Sequence, residues 1–261
     1  MAANKDSIGN TLRVALLVCL VCAVLVSTAA VTLRPAQEHN RALFREVNIL
    51  RTAGLSGPPG VDLHEARARL ERRFVDLATG DYVDRPDAFD PLAAARDPAQ
   101  SQALVEDPAG IRRIAHVGEV FLVRDADGRL SRIVLPVRGY GLWSTMHGFV
   151  ALERDLTTVA GIRFYEHAET PGLGGEIDNP RWQARWVGKR VFDDAGALAL
   201  RVNRGAVPEG AADAVHRIDG LAGATITARG VENLIRFWLG QAGYGPYLAR
   251  LGERLAAGQH Q

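Results

Sequence analysis

One uncharged run near the start of the sequence constrains the fold most. From Val14 to Leu33, VALLVCLVCAVLVSTAAVTL, no residue is charged and 17 of the 20 are apolar. At a rise of about 1.5 Å per residue, such a helix is roughly 30 Å long, which matches the hydrocarbon core of a bilayer. The run therefore predicts a single transmembrane helix that anchors the rest of the 261-residue chain.

A cleaved signal peptide is the alternative interpretation of the same run. Lys5 and Arg13 precede it as a positively charged region would, and Ser27-Thr28-Ala29 offers small residues for cleavage. We favour a retained anchor because the apolar residues continue past this point to Leu33. Orientation is not settled by charge: four arginines follow the run within 18 residues, but long domains cross membranes largely regardless of charge.

The charge balance and the cysteines exclude some classes of function. With 31 basic and 30 acidic residues, the chain lacks the positive excess that favours nucleic-acid binding. Both cysteines, Cys19 and Cys22, lie in the apolar run. Their C-x-x-C spacing could indicate a redox or metal motif, but in an apolar helix small hydrophobic residues are the better interpretation. The remainder of the chain must fold without disulfides.

Beyond the anchor, the pattern changes from helical to β-rich. Helical spacing continues from Gln37 to Arg51, with an end expected at Gly54, and residues 56–60, SGPPG, predict a break. A short amphipathic helix is expected around Leu63–Leu77, and residues 80–109 are interpreted as a linker or surface excursion. The predicted division is a cytoplasmic tail (1–13), a transmembrane helix (14–33), a helical and linker region (34–118) and a compact domain (119–261).

The compact domain is predicted to be α+β. Turn signals at Asp125–Gly128 and Asp155–Thr158 each separate two apolar runs and predict two hairpins. Apolar residues at helical spacing predict a strong helix over 231–239. The predicted strands are 119–123, 130–137, 148–153, 159–166, 198–203 and 215–219, and a weaker helix is expected over 179–186.

The segment Asp219–Thr227, DGLAGATIT, lies between a predicted strand and the strongest predicted helix. Small residues there let a ligand approach the backbone closely. If the run is extended, Thr225 and Thr227 point to the same side. The following helix offers free N–H groups and its positive dipole end to a phosphate. The pattern indicates an anion site beside Thr227; the alternative is that Thr227 is only the N-cap of the helix.

Two further glycine-rich segments could contact a ligand. Residues 165–176, YEHAETPGLGGE, suit a loop around a flat ligand, although an ordinary turn has the same composition. His167 lies near two glutamates, but successive strand residues point to opposite faces, so we expect no metal site. Residues 139–144, GYGLWS, could stack on a flat ligand, or Trp143 could belong to the core.

Taken together, these segments resemble a known family. GYGLWSTMHG from Gly139, EHAETPGLGGEI from Glu166 and DGLAGATIT from Asp219, in this order, resemble the C subunit of the sodium-translocating NADH:quinone reductases. That protein is a member of an FMN-binding family, which it shares with the G subunit of the Rnf electron-transport complex. The resemblance extends over essentially the whole chain, including the short tail and single span.

The resemblance implies a covalently bound flavin. In the family, a dedicated flavin transferase uses FAD outside the cytoplasm to attach FMN by a phosphoester to the last hydroxyl residue of the Ser/Thr-Gly-Ala-Thr-x-Ser/Thr motif. That residue is Thr227 here, and the first motif position is Ala222. The isoalloxazine would lie between the Trp143 segment and the loop from Glu169 to Gly174. The expected flavin-binding residues are Thr227, Thr225, Ala224, Gly223, Asp219, Trp143, Leu142, Glu169, Thr170, Gly172, Leu173 and Gly174.

The function implied by the resemblance is electron relay. The chain would belong to a translocase that moves electrons from NADH to ubiquinone and exports Na⁺, and it would not be catalytic alone. Its partners would be the membrane, flavin and iron–sulfur subunits of the complex, in a bacterial inner membrane with the large domain on the periplasmic side. Two rivals are an Rnf-type G subunit with covalent FMN and a membrane-anchored binding module without redox function.

Overall fold

The computed structural model describes residues 7–55 and 63–258. It divides into two units, residues 1–46 and 47–261. The first unit consists of helix α1, Ile8–Thr52, up to residue 46. Among the described residues, α1 is the one helix that is long and apolar enough to cross a membrane, and its valines and leucines between 14 and 33 are exposed. The first six residues of the predicted tail and the predicted break at 56–60 lie outside the described residues.

The second unit contains a five-stranded antiparallel sheet with short helices and two small strand pairs. The sheet order is β1-β4-β5-β6-β7; β2 pairs antiparallel with β3, and β8 pairs parallel with β9. The elements in chain order are α2 (Leu63–Ala68), β1 (Leu70–Asp76), α3 (Pro91–Ala94), β2 (Ser101–Ala103), β3 (Arg113–Ala115), β4 (Val117–Arg124), β5 (Leu130–Tyr140), β6 (Thr145–Glu153), β7 (Val159–Glu166), α4 (Pro180–Ala184), β8 (Arg201–Val202), β9 (Arg217–Ile218), α5 (Thr225–Leu239) and α6 (Gly245–Ala256). The predicted fold class, one apolar helix followed by an α+β domain, is confirmed.

Aspartates in the turns form the two predicted hairpins. Between β4 and β5, Oδ1 of Asp125 accepts hydrogen bonds from the amides of Asp127 and Arg129 at 2.9 Å. Between β6 and β7, Asp155 accepts from the amides and one hydroxyl of the threonines that follow it. Such side-chain bonds to the backbone fix a tight turn. They therefore set the register of β4 with β5 and of β6 with β7.

Both faces of the sheet are covered, because alternate strand residues enter two different clusters. In β4, Val120 and Leu122 join the large core that includes α5, whereas Phe121 and Val123 pack with Ile49 and its neighbours at the end of α1. This alternation is the period-2 pattern of a strand. A strand buried on both faces has a continuous apolar run. Val117–Val123 has such a run, interrupted only by Gly118 and Glu119.

One predicted element is wrong in its second half. The amphipathic helix expected over 63–77 ends at Ala68, and Leu70–Asp76 forms β1 along the edge of the sheet. All seven residues of β1 pair antiparallel with β4, and the Arg72 guanidinium lies 2.7 Å from Glu119 on that strand. Pairing with β4 thus overrides a local helical spacing. The region predicted as a linker also contains regular structure, namely α3 and β2.

Candidate functional site

Three chain segments meet at one edge of the second unit. The first is the turn Gly141–Ser144 between β5 and β6, closed by a 2.8 Å bond from the Gly141 amide to the Ser144 carbonyl. The second is the loop that follows β7, residues 167–174, and the third is the start of α5. These are the three segments that the sequence singled out, and the hydrogen bonds below join them.

A hydrogen bond between Thr227 and Glu169 lies at the centre of the site. The Thr227 hydroxyl donates to Oε2 of Glu169 at 2.6 Å. Both residues are almost fully buried, with 1% and 4% of their surfaces exposed. A carboxylate is rarely buried to this degree unless it is paired. The bond joins residues 58 positions apart in sequence.

Backbone amides of the β5–β6 turn hold the other oxygen of this carboxylate. The amides of Leu142, Trp143 and Ser144 donate to Oε1 of Glu169 at 3.1, 3.0 and 3.3 Å. Burial alone would raise the pKa of this carboxyl, but the bonds from the Thr227 hydroxyl and from the amides outweigh burial, and the pKa lies below its usual value. Glu169 is therefore an anion at neutral pH.

Thr227 lies in the first turn of α5, two residues later than the first helical position. The helix begins at Thr225 with Ala224 as its N-cap. The alternative that Thr227 is the capping residue is therefore wrong. Residues 225–227 are helical and not extended, so the condition under which Thr225 and Thr227 would point to the same side is not met. Thr225 is exposed while Thr227 is buried, since helical neighbours two apart point in different directions.

Glycines allow the segments to approach the Thr227–Glu169 pair closely. A Cβ atom on Gly174 would lie 2.6 Å from Oγ1 of Thr227, and one on Gly141 would lie 2.5 Å from Oε1 of Glu169. Any side chain at either position would displace the buried pair. Gly223, with φ of +70°, turns the chain just before α5, where a Cβ would lie 3.1 Å from the Leu173 side chain.

Large apolar side chains are exposed on the three segments around the buried pair. Their exposed fractions are 40% for Leu142, 64% for Trp143, 45% for Leu173 and 58% for Ile226. The alternative that Trp143 belongs to the core is therefore wrong. Its indole Nε1 donates to the Thr170 hydroxyl at 3.1 Å, which joins the first segment to the second. Exposed apolar side chains next to a buried polar pair are typical of a ligand site.

Asp219 holds the loop that leads into α5. Its Oδ1 accepts from the Val207 amide at 2.6 Å, its carboxylate pairs with Arg185, and its carbonyl accepts from the Trp182 indole at 2.9 Å. Asp219 thus positions the DGLAGATIT segment by bonds away from Thr227. Gly172, with φ of +76°, forms the tip of the second segment, and a Cβ there would meet nothing within 4 Å.

The chain is similar to several known proteins. Residues 141–240 match the FMN-binding domain family. The match begins in the β5–β6 turn and ends just after α5, so it includes Glu169 and Thr227. A relative from Pseudomonas aeruginosa, the C subunit of Na(+)-translocating NADH-quinone reductase, is 51% identical over 257 residues, which are 95% of this chain and 98% of the relative. The chain belongs to the family of these C subunits.

Other C subunits are similar to this chain in sequence and in structure. The protein of the same name from Yersinia pestis is 47% identical over 96% of this chain and 95% of its own length. The crystal structure of Shewanella oneidensis NqrC superposes with a TM-score of 0.75 at 36% identity, over 80% of this chain and 96% of that one. The crystal structure of the C subunit from Parabacteroides distasonis has a TM-score of 0.62 at 27% identity, over 83% of this chain and 96% of that one.

Most of the predicted site residues of this member of the C-subunit family come together. Direct contacts link Thr227, Glu169, Leu142, Trp143, Thr170 and Gly174, and Leu173 packs near Gly223. Asp219 and Ala224 position the third segment from a distance, and Thr225 is exposed. Their assignment as flavin-binding residues stays a prediction.

The sequence interpretation missed two contributors to the site. The Ser144 hydroxyl accepts from the Ala168 amide at 2.7 Å and so fixes the second segment. Ile226 is a large exposed apolar residue beside Thr227. The sequence feature that could have identified Ile226 is an isoleucine between two threonines at the start of a helix. No metal-binding group of three His, Cys, Asp or Glu residues occurs in the described parts of the chain.

Proposed function

We propose that this chain carries FMN on Thr227 and relays electrons within a Na⁺-translocating NADH:quinone reductase. The observation that carries the proposal is the Thr227 hydroxyl, buried in the first turn of α5 against Glu169 at 2.6 Å. Membership of the C-subunit family and the FMN-binding domain match support it. The attachment would be a phosphoester to the Thr227 oxygen.

The residues around Thr227 suit each part of FMN. A phosphodiester on Thr227 would lie at the N-terminus of α5, where free N–H groups and the helix dipole favour a negative charge. The isoalloxazine is flat and largely apolar. The exposed side chains of Leu142, Trp143, Leu173 and Ile226 would cover it, and Thr170 would fix the Trp143 ring through its indole bond.

The flavin would supply the redox chemistry, and the chain would bind it and tune it. Electron relay requires no catalytic acid, base or nucleophile for a substrate. Covalent attachment keeps the flavin at a high effective concentration and prevents its loss during turnover. The chain would therefore act only within the translocase, passing electrons between an iron–sulfur centre and the flavin of a neighbouring protein of the complex.

Helix α1 would anchor the chain in the bacterial inner membrane, with the large domain on the periplasmic side. The apolar run of α1 is long enough to span a bilayer, and attachment by a transferase outside the cytoplasm requires this orientation. The proposed partners are the membrane and redox subunits of the complex and, during maturation, the flavin transferase. A reporter fused after Gln261 should be active only outside the cytoplasm.

In-gel fluorescence tests the cofactor assignment. The chain is co-expressed with a flavin transferase, separated by denaturing electrophoresis and viewed under ultraviolet light. A fluorescent band is expected, because a flavin that survives detergent denaturation is covalently bound. The Thr227→Ala variant should be dark, and the matched control Thr225→Ala should fluoresce, since Thr225 is exposed whereas Thr227 is buried against Glu169. A dark wild-type band, or the reverse pattern in the variants, would contradict the proposal.

A further inference from the structure

The carboxylate of Glu169 is unusual in being buried directly against the hydroxyl that would accept the flavin. Three backbone amides donate to its Oε1, and its Oε2 accepts from the Thr227 hydroxyl at 2.6 Å and from the Leu142 amide at 3.2 Å. Electron relay by the finished flavoprotein needs no proton acceptor beside the Thr227 hydroxyl. A threonine hydroxyl, however, is a weak nucleophile that needs a base to take its proton.

We propose that Glu169 is a catalytic residue for flavin attachment: it takes the proton of Thr227 as the Thr227 oxygen attacks the flavin phosphate. The inference rests on the proposed function and deepens it, because this chain would then supply the general base for its own modification. The geometry already meets the requirement of hydrogen-bond contact, about 2.6–3.2 Å, between a base and the proton that it takes.

The chemical step is balanced with FAD as the co-reactant. Oγ1 of Thr227 forms a bond to the flavin-side phosphorus of the FAD pyrophosphate, and the bond from that phosphorus to the bridging oxygen breaks. AMP leaves with the bridging oxygen and both electrons of that bond. The proton of the hydroxyl moves to Oε2 of Glu169, and nothing is oxidised or reduced.

The structure also explains how Glu169 could stay in place while FAD reaches Thr227. Thr227 is 1% exposed, and Gly174 covers it so closely that a Cβ would lie 2.6 Å from Oγ1. Attachment therefore requires the glycine segment 172–175 to move aside. Glu169 is held instead by the amides of the β5–β6 turn, in which Gly141 is bonded to Ser144, so the carboxylate does not depend on that segment for its position.

Two substitutions of Glu169 separate proton transfer from positioning. Glu169→Gln keeps the length of the side chain, an oxygen for the three amides and a hydrogen bond to Thr227, but it cannot take a proton. Glu169→Asp keeps the carboxylate but is one methylene shorter. If Glu169 takes the proton, flavin should be attached faster to Glu169→Asp than to Glu169→Gln. If Glu169 only positions Thr227, the order of the two rates should be reversed.

The experiment uses the full-length chain produced without transferase, purified in detergent and mixed with FAD and purified flavin transferase. The rate of mass gain by intact mass spectrometry, with in-gel fluorescence in parallel, is the readout. Glu176→Gln is the matched control, because its carboxylate lies two residues beyond the loop 167–174 and accepts from the Asn179 amide group instead of from Thr227. Thermal unfolding by circular dichroism checks that each variant is folded.

We expect Glu169→Gln to be slowed on the order of 100-fold or more, the usual contribution of a general base, with Glu169→Asp in between and Glu176→Gln unchanged. Attachment to Glu169→Gln at the wild-type rate, or faster than to Glu169→Asp, would overturn the inference while leaving FMN on Thr227 intact. If Glu169→Asp does not fold, the comparison of Glu169→Gln with Glu176→Gln decides. A wild-type chain that gains no mass would overturn the proposed function as well.

Discussion

The indole nitrogen of Trp143 donates a hydrogen bond to the Thr170 hydroxyl at 3.1 Å, although 64% of Trp143 is exposed. The bond joins the β5–β6 turn to the loop that follows β7. One polar atom thus fixes a large ring that the rest of the fold leaves uncovered. We therefore expect this hydrogen bond to hold the Trp143 ring in place against a bound flavin.

Thr170→Val should loosen the Trp143 ring while preserving the shape of the side chain. A single exposed hydrogen bond contributes about 1 kcal/mol or less to the free energy of unfolding, so the stability of the domain should change little. Contact of a flavin with an indole quenches flavin fluorescence, and the fluorescence of the loaded protein should therefore rise. Thr157→Val, in the turn before β7, is the control. Unaltered emission from the Thr170 variant would show that Trp143 does not contact the flavin.

Gly174→Ala should disrupt the buried pair, because the new Cβ would lie 2.6 Å from Oγ1 of Thr227 and 2.9 Å from Oε2 of Glu169. Overpacking of this kind costs about 1–3 kcal/mol, and we expect a lower midpoint of thermal unfolding and less flavin attached per chain. The control is Gly205→Ala, since a Cβ at Gly205 meets nothing within 4 Å. Equal effects of the two substitutions would count against a tightly packed site.

The strands of the domain could largely be predicted from local signals. The two aspartate turns predict their hairpins because the bonds that form each turn lie within four residues of each other. Edge strand β1 could not be predicted, because its conformation depends on antiparallel pairing with β4, which is distant in sequence. The local sequence of residues 80–109 did not predict strand β2 either, because β2 forms only by pairing with β3, which lies outside this region.

The sequence named the residues of the candidate site but not the contacts between them. The motif resemblance named Thr227 and Glu169, yet their contact spans 58 residues and follows from how β5, β6 and α5 pack. Composition also gave no indication that Trp143 is exposed. Tryptophan is usually buried to a large extent, and only the surrounding glycines mark this one as different.

Lys189 is predicted to stabilise the loop before β9. Its ammonium donates to the Ala214 carbonyl at 2.7 Å in a partly buried position. Lys189→Met keeps most of the apolar stem but removes the donor, and a hydrogen bond to a charged group contributes about 1.5–3 kcal/mol. Chemical denaturation of the full chain in detergent should show that the free energy of unfolding falls by an amount in or below this range. Arg154→Met, at an exposed position, should be nearly neutral; a similar loss there would indicate a general effect of removing a cation.

His167 should make the stability of the site loop depend on pH. The ring Nε2 lies 2.8 Å from the Asp178 carboxylate. In the neutral ring, Nδ1 accepts from the Glu169 amide at 3.1 Å, a bond that the protonated ring cannot accept. The hydrogen bond to Asp178 outweighs the effect of burial and raises the pKa of His167 above its ordinary value of 6.5. The ion pair therefore contributes fully below pH 6.5, and its contribution is lost as the pH rises through the raised pKa.

Asp178→Asn tests this dependence. Asp178 is largely exposed, so the ion pair contributes about 1 kcal/mol or less. The substitution should lower the free energy of unfolding most near pH 6 and least above the pKa of His167, where only a neutral hydrogen bond remains to be lost. Asp194→Asn is the control, because Asp194 pairs with Arg190 at 3.0 Å and arginine does not titrate in this range. Its effect should be constant between about pH 6 and 8. A difference between wild type and Asp178→Asn that grows with pH would show that the pKa of His167 is shifted in the opposite direction.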